Sequence, residues 1–308
     1  MKIVFLDAAT LGDASLSPIA ELGELICYPT STPEEALARV SDCEVLIVNK
    51  IVVGETLLAR APKLQLVCVA ATGVNNIDFE ATGRRGIVVR NVAGYSTDSV
   101  AQLAWMQILS LAGNGQAFDD CVKSGAYSKM PVFTDPNRSY WELTGKTLGI
   151  IGLGTIGSKV AQIGEAFGMK VVYYSTSLTH HSDRYPSVSL EELMTRSDVV
   201  SIHAPYNERT AGLVGEKELR LMKSQAILVN MGRGGIVDET ALAKAIDEEW
   251  IGGAALDVFS REPVPSDSPL LHTAHPERFR FSPHVAWASC EARARLVDAI
   301  AENIRKGW

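Results

Sequence analysis

The chain has 308 residues, of which 46% are hydrophobic and 21% are charged. The length predicts two domains, and the composition is sufficient for packed cores and excludes wholesale disorder. The net charge is −7 and no block of Lys or Arg is present, so neither a nucleic acid nor a membrane is an expected partner. The apolar runs are as long as strands and far shorter than the roughly 20 residues of a membrane span.

The N-terminus and the cysteines predict a cytoplasmic protein. An acidic residue, Asp7, follows the first apolar run too early for a secretory signal. The five cysteines are odd in number, widely separated and without a CxxC pair, which is typical of reduced thiols. The same spacing excludes a disulfide scaffold and a cysteine-based zinc site, and no metal site is expected.

Over the first hundred residues, short apolar runs alternate with helical patterns, which predicts a parallel sheet with helices on its faces. The predicted strands are Ile3–Leu6, Leu25–Tyr28, Val45–Val48, Leu66–Val69 and Ile87–Val89. The clearest helix start is Thr32, because Pro33 suits the first helical position and Glu35 completes a capping box.

A long helix is predicted from Ser96 or Thr97 to about Leu111, since its apolar residues recur with a helical period. The polar stretch 113–141 is predicted to be a connecting or interface segment. A second series of strands and helices begins at Thr147, and a closing helix is predicted over 291–306. The predicted strands of this series are Leu148–Ile151, Val171–Tyr174, Val199–Ile202, Ala226–Asn230, Ala254–Val258 and Arg280–Ser282.

The second series opens with a glycine motif that predicts a dinucleotide site. Residues 152–157 read GLGTIG, a GxGxxG between a predicted strand and a helical pattern. In that context Gly152 allows a tight turn, Gly154 lets the backbone approach a pyrophosphate, and Gly157 permits close helix–strand packing. The helix N-terminus adds free N–H groups for the phosphates. The motif therefore predicts NAD or NADP as the cofactor.

The residue after the next predicted strand bears on which of the two cofactors is used. This position normally carries an acid that binds the ribose 2′-hydroxyl of NAD, but here it is Ser175, followed by Thr176. The missing carboxylate removes a repulsion against a 2′-phosphate. The hydroxyls, with Arg184 or one of the nearby histidines, are candidate phosphate ligands. The sequence thus slightly favours NADP over NAD.

Polar side chains follow three later strands of the predicted sheet, where open αβ sheets bind their ligands. They are Arg233, then Asp257 and Glu262, and finally His284. Arg233 suits the carboxylate and the carbonyl of a 2-keto acid, and His284 suits proton transfer to the carbonyl oxygen. Glu262 would fix the tautomer of His284, and Asp257 would orient a nicotinamide carboxamide. The set predicts hydride transfer to a 2-keto acid.

Together these segments resemble the D-isomer-specific 2-hydroxyacid dehydrogenases. The resemblance is carried by segments 152–157, 230–235 (NMGRGG), 257–263 (DVFSREP) and 283–287 (PHVAW) and covers essentially the whole chain. It implies that Arg233, Glu262 and His284 are catalytic, that the substrate is a small 2-keto or 2-hydroxy acid, and that the protein is a homodimer.

The resemblance also implies a fold. It is an α/β fold of two Rossmann-like domains, each a doubly wound parallel sheet, with a cleft between them. A discontinuous substrate-binding domain would comprise residues 1–99 and 288–308. A dinucleotide-binding domain would comprise residues 100–287.

Site residues follow from the same resemblance. The implied cofactor contacts are Thr97, Gly152, Gly154, Thr155, Ile156, Gly157, Ser175, Thr176, Met231, Gly232, Asp257, His284 and Trp287. The implied substrate contacts are Lys50, Thr72, Gly73, Val74, Arg233 and His284. The turn at 71–76 (ATGVNN) is compatible with a backbone nest for an anion.

Within the family the chain most resembles glycerate dehydrogenases, also called hydroxypyruvate reductases. The resembling segments are 5–8, 49–50, 71–76 and 91–97. Reduction of hydroxypyruvate or glyoxylate is therefore the leading hypothesis, with Lys50 as a ligand for a second polar group of the substrate. One alternative is a reductase of bulkier 2-keto acids such as phenylpyruvate. Another is a dinucleotide-sensing protein like the corepressors that share this fold, although the chain has no basic tail.

Overall fold

The computed structural model describes residues 1–177 and 181–308. It divides into two compact units, Met1–Ser96 with Trp287–Trp308, and Thr97–Ala286. The sequence predicts domain boundaries after residues 99 and 287. The two units of the structure are divided after Ser96 and Ala286, within three residues of those positions. Each unit is a parallel sheet flanked by helices, which confirms the predicted α/β fold class.

Strands and helices alternate along both units. The strands are β1 Lys2–Phe5, β2 Glu24–Cys27, β3 Val45–Val48, β4 Leu66–Val69, β5 Val88–Arg90, β6 Thr147–Ile151, β7 Lys170–Tyr174, β8 Val199–Ile202, β9 Ile227–Asn230, β10 Gly253–Leu256 and β11 Phe279–Phe281. The helices are α1 Ser17–Ala20, α2 Pro33–Arg39, α3 Glu55–Leu58, α4 Phe79–Arg84, α5 Thr97–Ala112, α6 Gly115–Lys123, α7 Thr155–Ala166, α8 Leu190–Arg196, α9 Glu216–Leu221, α10 Glu239–Asp247 and α11 Cys290–Arg305.

The sheet of the first unit has the order β2-β1-β3-β4-β5. Successive residues of its central strands point to opposite faces, because side chains alternate along a strand. Ile3 of β1 packs with Leu296 and Ile300 of α11 on one face, and Val4 packs with Leu58 of α3 on the other. The C-terminal helix therefore completes the core of the N-terminal unit.

Helix α2 of this unit begins as the sequence predicts. Thr32 Oγ1 accepts a hydrogen bond from Glu35 N at 3.2 Å, and Glu35 Oε2 accepts one from Thr32 N at 2.8 Å. This reciprocal pair is the predicted capping box, with Pro33 in the first helical position.

The sheet of the second unit has the order β11-β10-β9-β8-β6-β7. The chain leaves β6 for β7 on one side and then crosses to β8 on the other, so the strand order reverses at β6. In an open αβ sheet, ligands bind beyond the carboxyl ends of the strands at such a reversal. Helix α5 packs against α7, where Trp105 Nε1 donates to Val160 O at 3.1 Å.

The stretch 113–141 contains more structure than the predicted connecting segment. It includes α6 and a short 3-10 helix, Tyr127–Lys129. None of the residues of α6 is buried, although its apolar residues Phe118, Cys121 and Val122 recur at a helical spacing. Several large apolar side chains in this stretch are exposed, including Val122 and Phe133.

Within residues 1–177 and 181–308, no helix is both long enough and apolar enough to cross a membrane.

Candidate active site

The glycine motif connects β6 to α7 and includes the first turn of that helix, as predicted. Gly152 has φ 90°, and a Cβ there would lie 2.8 Å from Ala204 N. A Cβ at Gly157 would lie 2.3 Å from Gly152 O. The first and third glycines are thus required by the fold itself, because both approach backbone too closely for a side chain.

Gly154 differs from its two neighbours in the motif. Its φ is −79°, and a Cβ there would meet no protein atom within 4 Å. It precedes α7, whose first N–H groups, at Thr155, Ile156 and Gly157, have no partner within the helix. The open space and the free donors fit the pyrophosphate of a dinucleotide.

At the end of β7, Ser175 occupies the place of the expected ribose-binding acid. Its side chain is buried, and its Oγ lies 3.4 Å from Ser177 Oγ. Thr176 between them is half-buried. Neither Ser175 nor Thr176 supplies a carboxylate that would repel a 2′-phosphate.

The sequence suggested Arg184 and the nearby histidines as basic ligands for this phosphate. Arg184 Nη2 lies 2.5 Å from Glu165 Oε2, and its guanidinium lies 5.5 Å from the Tyr185 ring centroid. His181 is exposed, and His180 lies outside the described residues. A cation that the sequence analysis missed is Arg209, whose Nη1 donates to Ser177 O at 3.1 Å. It comes from the loop after β8, so no spacing within the nucleotide motif pointed to it.

Three neighbouring strands, β9, β10 and β11, carry the predicted chemical residues just beyond their carboxyl ends. Asn230 ends β9, and its side chain fixes the following loop. Its Oδ1 accepts from Gly232 N at 3.0 Å, and its Nδ2 donates to Arg233 O at 2.9 Å. Met231 is buried, whereas Arg233 is half-buried and its Nη1 donates to Gly232 O at 2.8 Å. The loop thereby holds the Arg233 backbone in one position.

Asp257, beyond β10, is almost completely buried. Its Oδ1 accepts from Ser282 Oγ at 2.6 Å and from Val285 N at 2.9 Å, and its Oδ2 accepts from Ala286 N at 2.9 Å. Burial raises the pKa of this carboxyl, and these hydrogen bonds act in the opposite direction. Asp257 therefore ties the segment around His284 to the end of β10.

Glu262 and His284 are in direct contact. Glu262 Oε2 lies 2.6 Å from His284 Nδ1, and its Oε1 accepts from Phe259 N at 3.1 Å. The His284 backbone has φ 53°, and its N–H bonds to Asp257 O at 2.8 Å. A carboxylate that accepts Nδ1–H leaves the Nε2 of the ring for proton exchange with a ligand.

His203, which the sequence analysis interpreted as structural, is also placed by the fold. Its Nε2 lies 2.9 Å from Ser201 Oγ, and its Nδ1 is buried without a hydrogen-bond partner. Burial lowers the pKa of this imidazole to about 3. The ring is therefore neutral at ordinary pH, which agrees with a structural role.

The remaining predicted contacts lie elsewhere in the chain. Thr97 is the first residue of α5 in the second unit, whereas Trp287 belongs to the first unit and packs edge-on against Tyr95. The predicted substrate residues Lys50, Thr72, Gly73 and Val74 also belong to the first unit.

Two loops of the first unit carry these predicted substrate residues. Asp7 accepts from the backbone N–H of Asn49 at 2.9 Å and of Lys50 at 2.7 Å, which fixes the Lys50 loop. The other loop is held by Thr72 Oγ1, which donates to Val92 O at 3.0 Å. The sequence analysis missed this role of Asp7, which only the three-dimensional contact reveals.

The sequence of this chain is similar to those of known 2-hydroxyacid dehydrogenases and keto-acid reductases. Residues 105–286 match the D-isomer specific 2-hydroxyacid dehydrogenase, NAD binding domain. A glyoxylate reductase of Aeropyrum pernix is 44% identical over 80% of this chain and 74% of that protein. A glycerate dehydrogenase of Methylorubrum extorquens is 36% identical over 98% of this chain and 95% of that protein.

The fold of this chain is also similar to that of solved structures. An acyclic imino acid reductase in complex with NADPH and D-Arg superposes with a TM-score of 0.88 at 29% identity, covering 99% of this chain and 96% of that chain. The family match covers more than half of the chain and includes the glycine motif and all three candidate catalytic residues. The chain therefore belongs to the D-isomer specific 2-hydroxyacid dehydrogenase family, as an NAD(P)-dependent oxidoreductase that acts on small 2-keto and 2-hydroxy acids.

Proposed function

We propose that this chain reduces glyoxylate or hydroxypyruvate to the corresponding D-2-hydroxy acid or its achiral equivalent, with Arg233, Glu262 and His284 as its catalytic residues. The names of the two relatives described above support the choice of substrate. The observation that carries the chemistry is the contact of 2.6 Å between His284 Nδ1 and Glu262 Oε2, made just beyond the end of β11.

His284 is the proposed proton donor. Glu262 accepts a hydrogen bond from Nδ1–H, so the ring is held in one orientation with Nε2 available to the keto oxygen. The carboxylate also stabilises the imidazolium that donates the proton, and Phe259 N holds that carboxylate in place. A bound nicotinamide supplies the hydride that reduces the keto carbon.

Arg233 is the proposed electrophilic residue. Its planar guanidinium can hold a carboxylate through two parallel hydrogen bonds and polarise the adjacent carbonyl. A positive charge beside the keto oxygen stabilises the negative charge that develops there during reduction. The anchored 230–233 loop reduces the entropy lost when the substrate is bound.

The cofactor contacts are proposed from the turns that fit a dinucleotide. The backbone of the glycine motif, with Thr155 and Ile156, would hold the pyrophosphate, and Ser175 and Thr176 would face the adenosine ribose. The proposed contacts of the nicotinamide half are Thr97, Met231, Gly232, Asp257 and Trp287. Absence of an acid at Ser175 supports a slight preference for NADP.

The proposed substrate contacts of the first unit are Lys50 and the turn of Thr72, Gly73 and Val74. Backbone N–H groups of such a turn suit a carboxylate. The Lys50 ammonium suits a further polar group of the substrate, such as the terminal hydroxyl of hydroxypyruvate.

We also propose a homodimer and a cytoplasmic location. The exposed apolar side chains of 113–141, among them Phe133 at 90% exposure, support an interface, since such residues are normally covered. The described cysteines are free thiols, which suits a reducing compartment.

Steady-state kinetics with three keto acids test this proposal. Glyoxylate, hydroxypyruvate and phenylpyruvate are each assayed with NADH and with NADPH. The expected result is a higher kcat/KM for the two small acids, because the relatives that support the assignment act on small substrates. His284→Ala and Arg233→Ala are each expected to lower kcat/KM by about 100-fold or more.

His272→Ala serves as the matched control, because its imidazole is exposed and lies outside the proposed set. It should retain wild-type kinetics, and titration with NADPH should show that all variants still bind the cofactor. Full activity of both His284→Ala and Arg233→Ala would contradict the catalytic assignment. A higher kcat/KM for phenylpyruvate than for the two small acids would show that the enzyme is a reductase of bulkier 2-keto acids. Binding of NADPH without turnover of any keto acid would favour a dinucleotide-sensing protein.

A further inference from the structure

Two loops of the second unit meet beside the end of β7. One is the turn 175–177, and the other is the loop 205–210 that follows β8. Arg209 Nη1 donates to Ser177 O at 3.1 Å and so links the loops. A surface cavity of about 370 Å³ lies there, lined by Thr176, Ser177, Pro205, Asn207, Glu208 and Arg209. The guanidinium therefore lies at the strand end where the adenosine ribose of a dinucleotide binds.

The loop that carries Arg209 is held by its own hydrogen bonds. Thr210 is completely buried, and its Oγ1 donates to Pro205 O at 2.6 Å and accepts from Asn207 N at 2.8 Å. Asn207 Oδ1 in turn accepts from Arg209 N at 2.9 Å. A cation on a fixed loop loses less conformational entropy on binding an anion than one on a mobile loop.

The other described arginine near this strand end is already paired with a carboxylate. Arg184 lies 2.5 Å from Glu165, and Tyr185 Oη donates to the same Glu165 oxygen at 2.9 Å. Arg209, by contrast, contacts a backbone carbonyl and leaves part of its guanidinium fork for a ligand. Burial and the Glu165 contact raise the pKa of Tyr185 to about 12, so its hydroxyl stays a neutral donor to Glu165.

We infer that Arg209 determines the cofactor preference of this chain by binding the adenosine 2′-phosphate of NADP(H), together with the hydroxyls of Ser175 and Thr176. The 2′-phosphate is a dianion or close to one at neutral pH, and the guanidinium fork matches two of its oxygens. The acid that normally repels this phosphate is replaced by Ser175. The inference rests on the dinucleotide site of the proposed function and assigns the selecting residue within it.

Binding titrations without keto acid test the inference. The dissociation constants of NADPH, NADH, 2′,5′-ADP and 5′-AMP are measured for the wild type and for Arg209→Gln. The wild type should bind NADPH more tightly than NADH. Arg209→Gln should weaken NADPH and 2′,5′-ADP by about 10- to 100-fold, the usual range for hydrogen bonds to a charged group, and leave NADH and 5′-AMP within about twofold.

Arg184→Gln is the matched control, because it removes the same charge from the residue tied to Glu165. It should leave the NADPH to NADH ratio unchanged. Arg209→Lys keeps the charge without the fork and should recover part of the NADPH affinity. Ser175→Asp should reverse the preference, because it restores the repelling carboxylate.

Three results would overturn the inference: tighter binding of NADH by the wild type, an unchanged ratio in Arg209→Gln, or a larger loss in Arg184→Gln. NADH binding shows that each variant is folded, so a misfolded variant is recognised. Because no turnover is required, failure of the proposed keto-acid reduction leaves these titrations interpretable. Conversely, an active reductase with an unchanged ratio in Arg209→Gln would reject the inference alone.

Discussion

The two flanks of the sheet in the second unit hold their polar groups in opposite ways. Beyond β10 and β11, the carboxylates of Asp257 and Glu262 are each bonded to backbone amides and to one side chain, Ser282 for Asp257 and His284 for Glu262. Beyond β7, Ser175 and Arg209 make single contacts, and Arg209 is exposed.

The contrast has a functional reason. Proton transfer and charge stabilisation require groups held within a few tenths of an ångström, so each carboxylate of the first flank is fixed by at least two hydrogen bonds. Recognition of a phosphate on a cofactor tolerates side chains with fewer contacts. Substitutions on the first flank should therefore affect stability and catalysis together, whereas those on the second should alter binding alone.

The largest expected effect on the first flank is that of Gly234→Ala. A Cβ at Gly234 would lie 1.8 Å from Phe259 O, which is backbone and has little freedom to move. The substitution must push apart the loop of Arg233 and the segment that orients Glu262. We expect a loss of unfolding free energy of about 3 kcal/mol or more and a fall in kcat/KM of at least about 100-fold.

Chemical denaturation and steady-state kinetics measure this effect. Gly154→Ala is the control for stability, because its added Cβ meets no protein atom. A Gly234→Ala variant with the midpoint and the activity of the wild type would show that the two segments are less rigidly joined than the contact implies.

Asp257→Asn should have the second-largest effect. The new amide can keep the acceptor that faces Ser282 and Val285, but its NH₂ group then faces the donor Ala286 N. An unsatisfied buried donor costs about 1–3 kcal/mol, and the segment around His284 loses its anchor. Denaturant unfolding should show this loss together with a lower kcat.

Ser282→Ala is the comparison for Asp257→Asn, because it removes one donor and leaves both amide bonds intact. It should cost less free energy of unfolding than Asp257→Asn. The reverse order would mean that the hydroxyl, and not the backbone amides, holds this carboxylate.

Gly154→Ala tests the nucleotide side of the sheet. Because the space at Gly154 is empty of protein atoms, stability should change little, but the methyl group would occupy the space proposed for the pyrophosphate. We expect about a tenfold increase in the dissociation constants of both NADH and NADPH, in contrast to the selective effect of Arg209→Gln. Fluorescence titration measures both, and unaltered affinity would place the pyrophosphate elsewhere.

The sequence predicts a structural element correctly where the residues that determine it are close together in the chain. Strands β3, β4 and β8 have the predicted bounds, and the Thr32 capping box is present because its partners are three residues apart. The proposed catalytic residues could be named because each lies beside a short motif at the end of an apolar strand. Their roles stay predictions.

The features that the sequence analysis missed depend on contacts between distant segments. Arg209 and Ser177 are 32 residues apart in the chain, and Asp7 and Lys50 are 43 apart. Helix α6 has apolar residues at a helical spacing, but it is short and lies in a polar stretch, so the sequence analysis did not separate it from its surroundings. Arg184 is a candidate phosphate ligand in the sequence, which does not show its contact with Glu165. Tertiary contacts decide such cases, and a single sequence does not display them.

The smallest expected effect concerns His203, beyond β8 and between the two flanks. Its pKa is lowered to about 3 by burial, whereas a histidine in the unfolded chain titrates near 6.5. Below pH ~6.5 the unfolded chain binds a proton that the folded protein does not, so stability falls as the pH decreases. Between pH 7 and pH 5.5 this residue should account for a loss of about 1 kcal/mol.

The contribution of His203 is isolated by comparing unfolding free energies of the wild type and His203→Asn across this pH range. The variant should be less stable at pH 7, since it loses packing and the Ser201 contact, but its stability should fall less steeply on acidification. An equal slope in His203→Asn would mean that the buried ring takes up a proton in the folded protein, and the unpartnered Nδ1 would then have to find an acceptor.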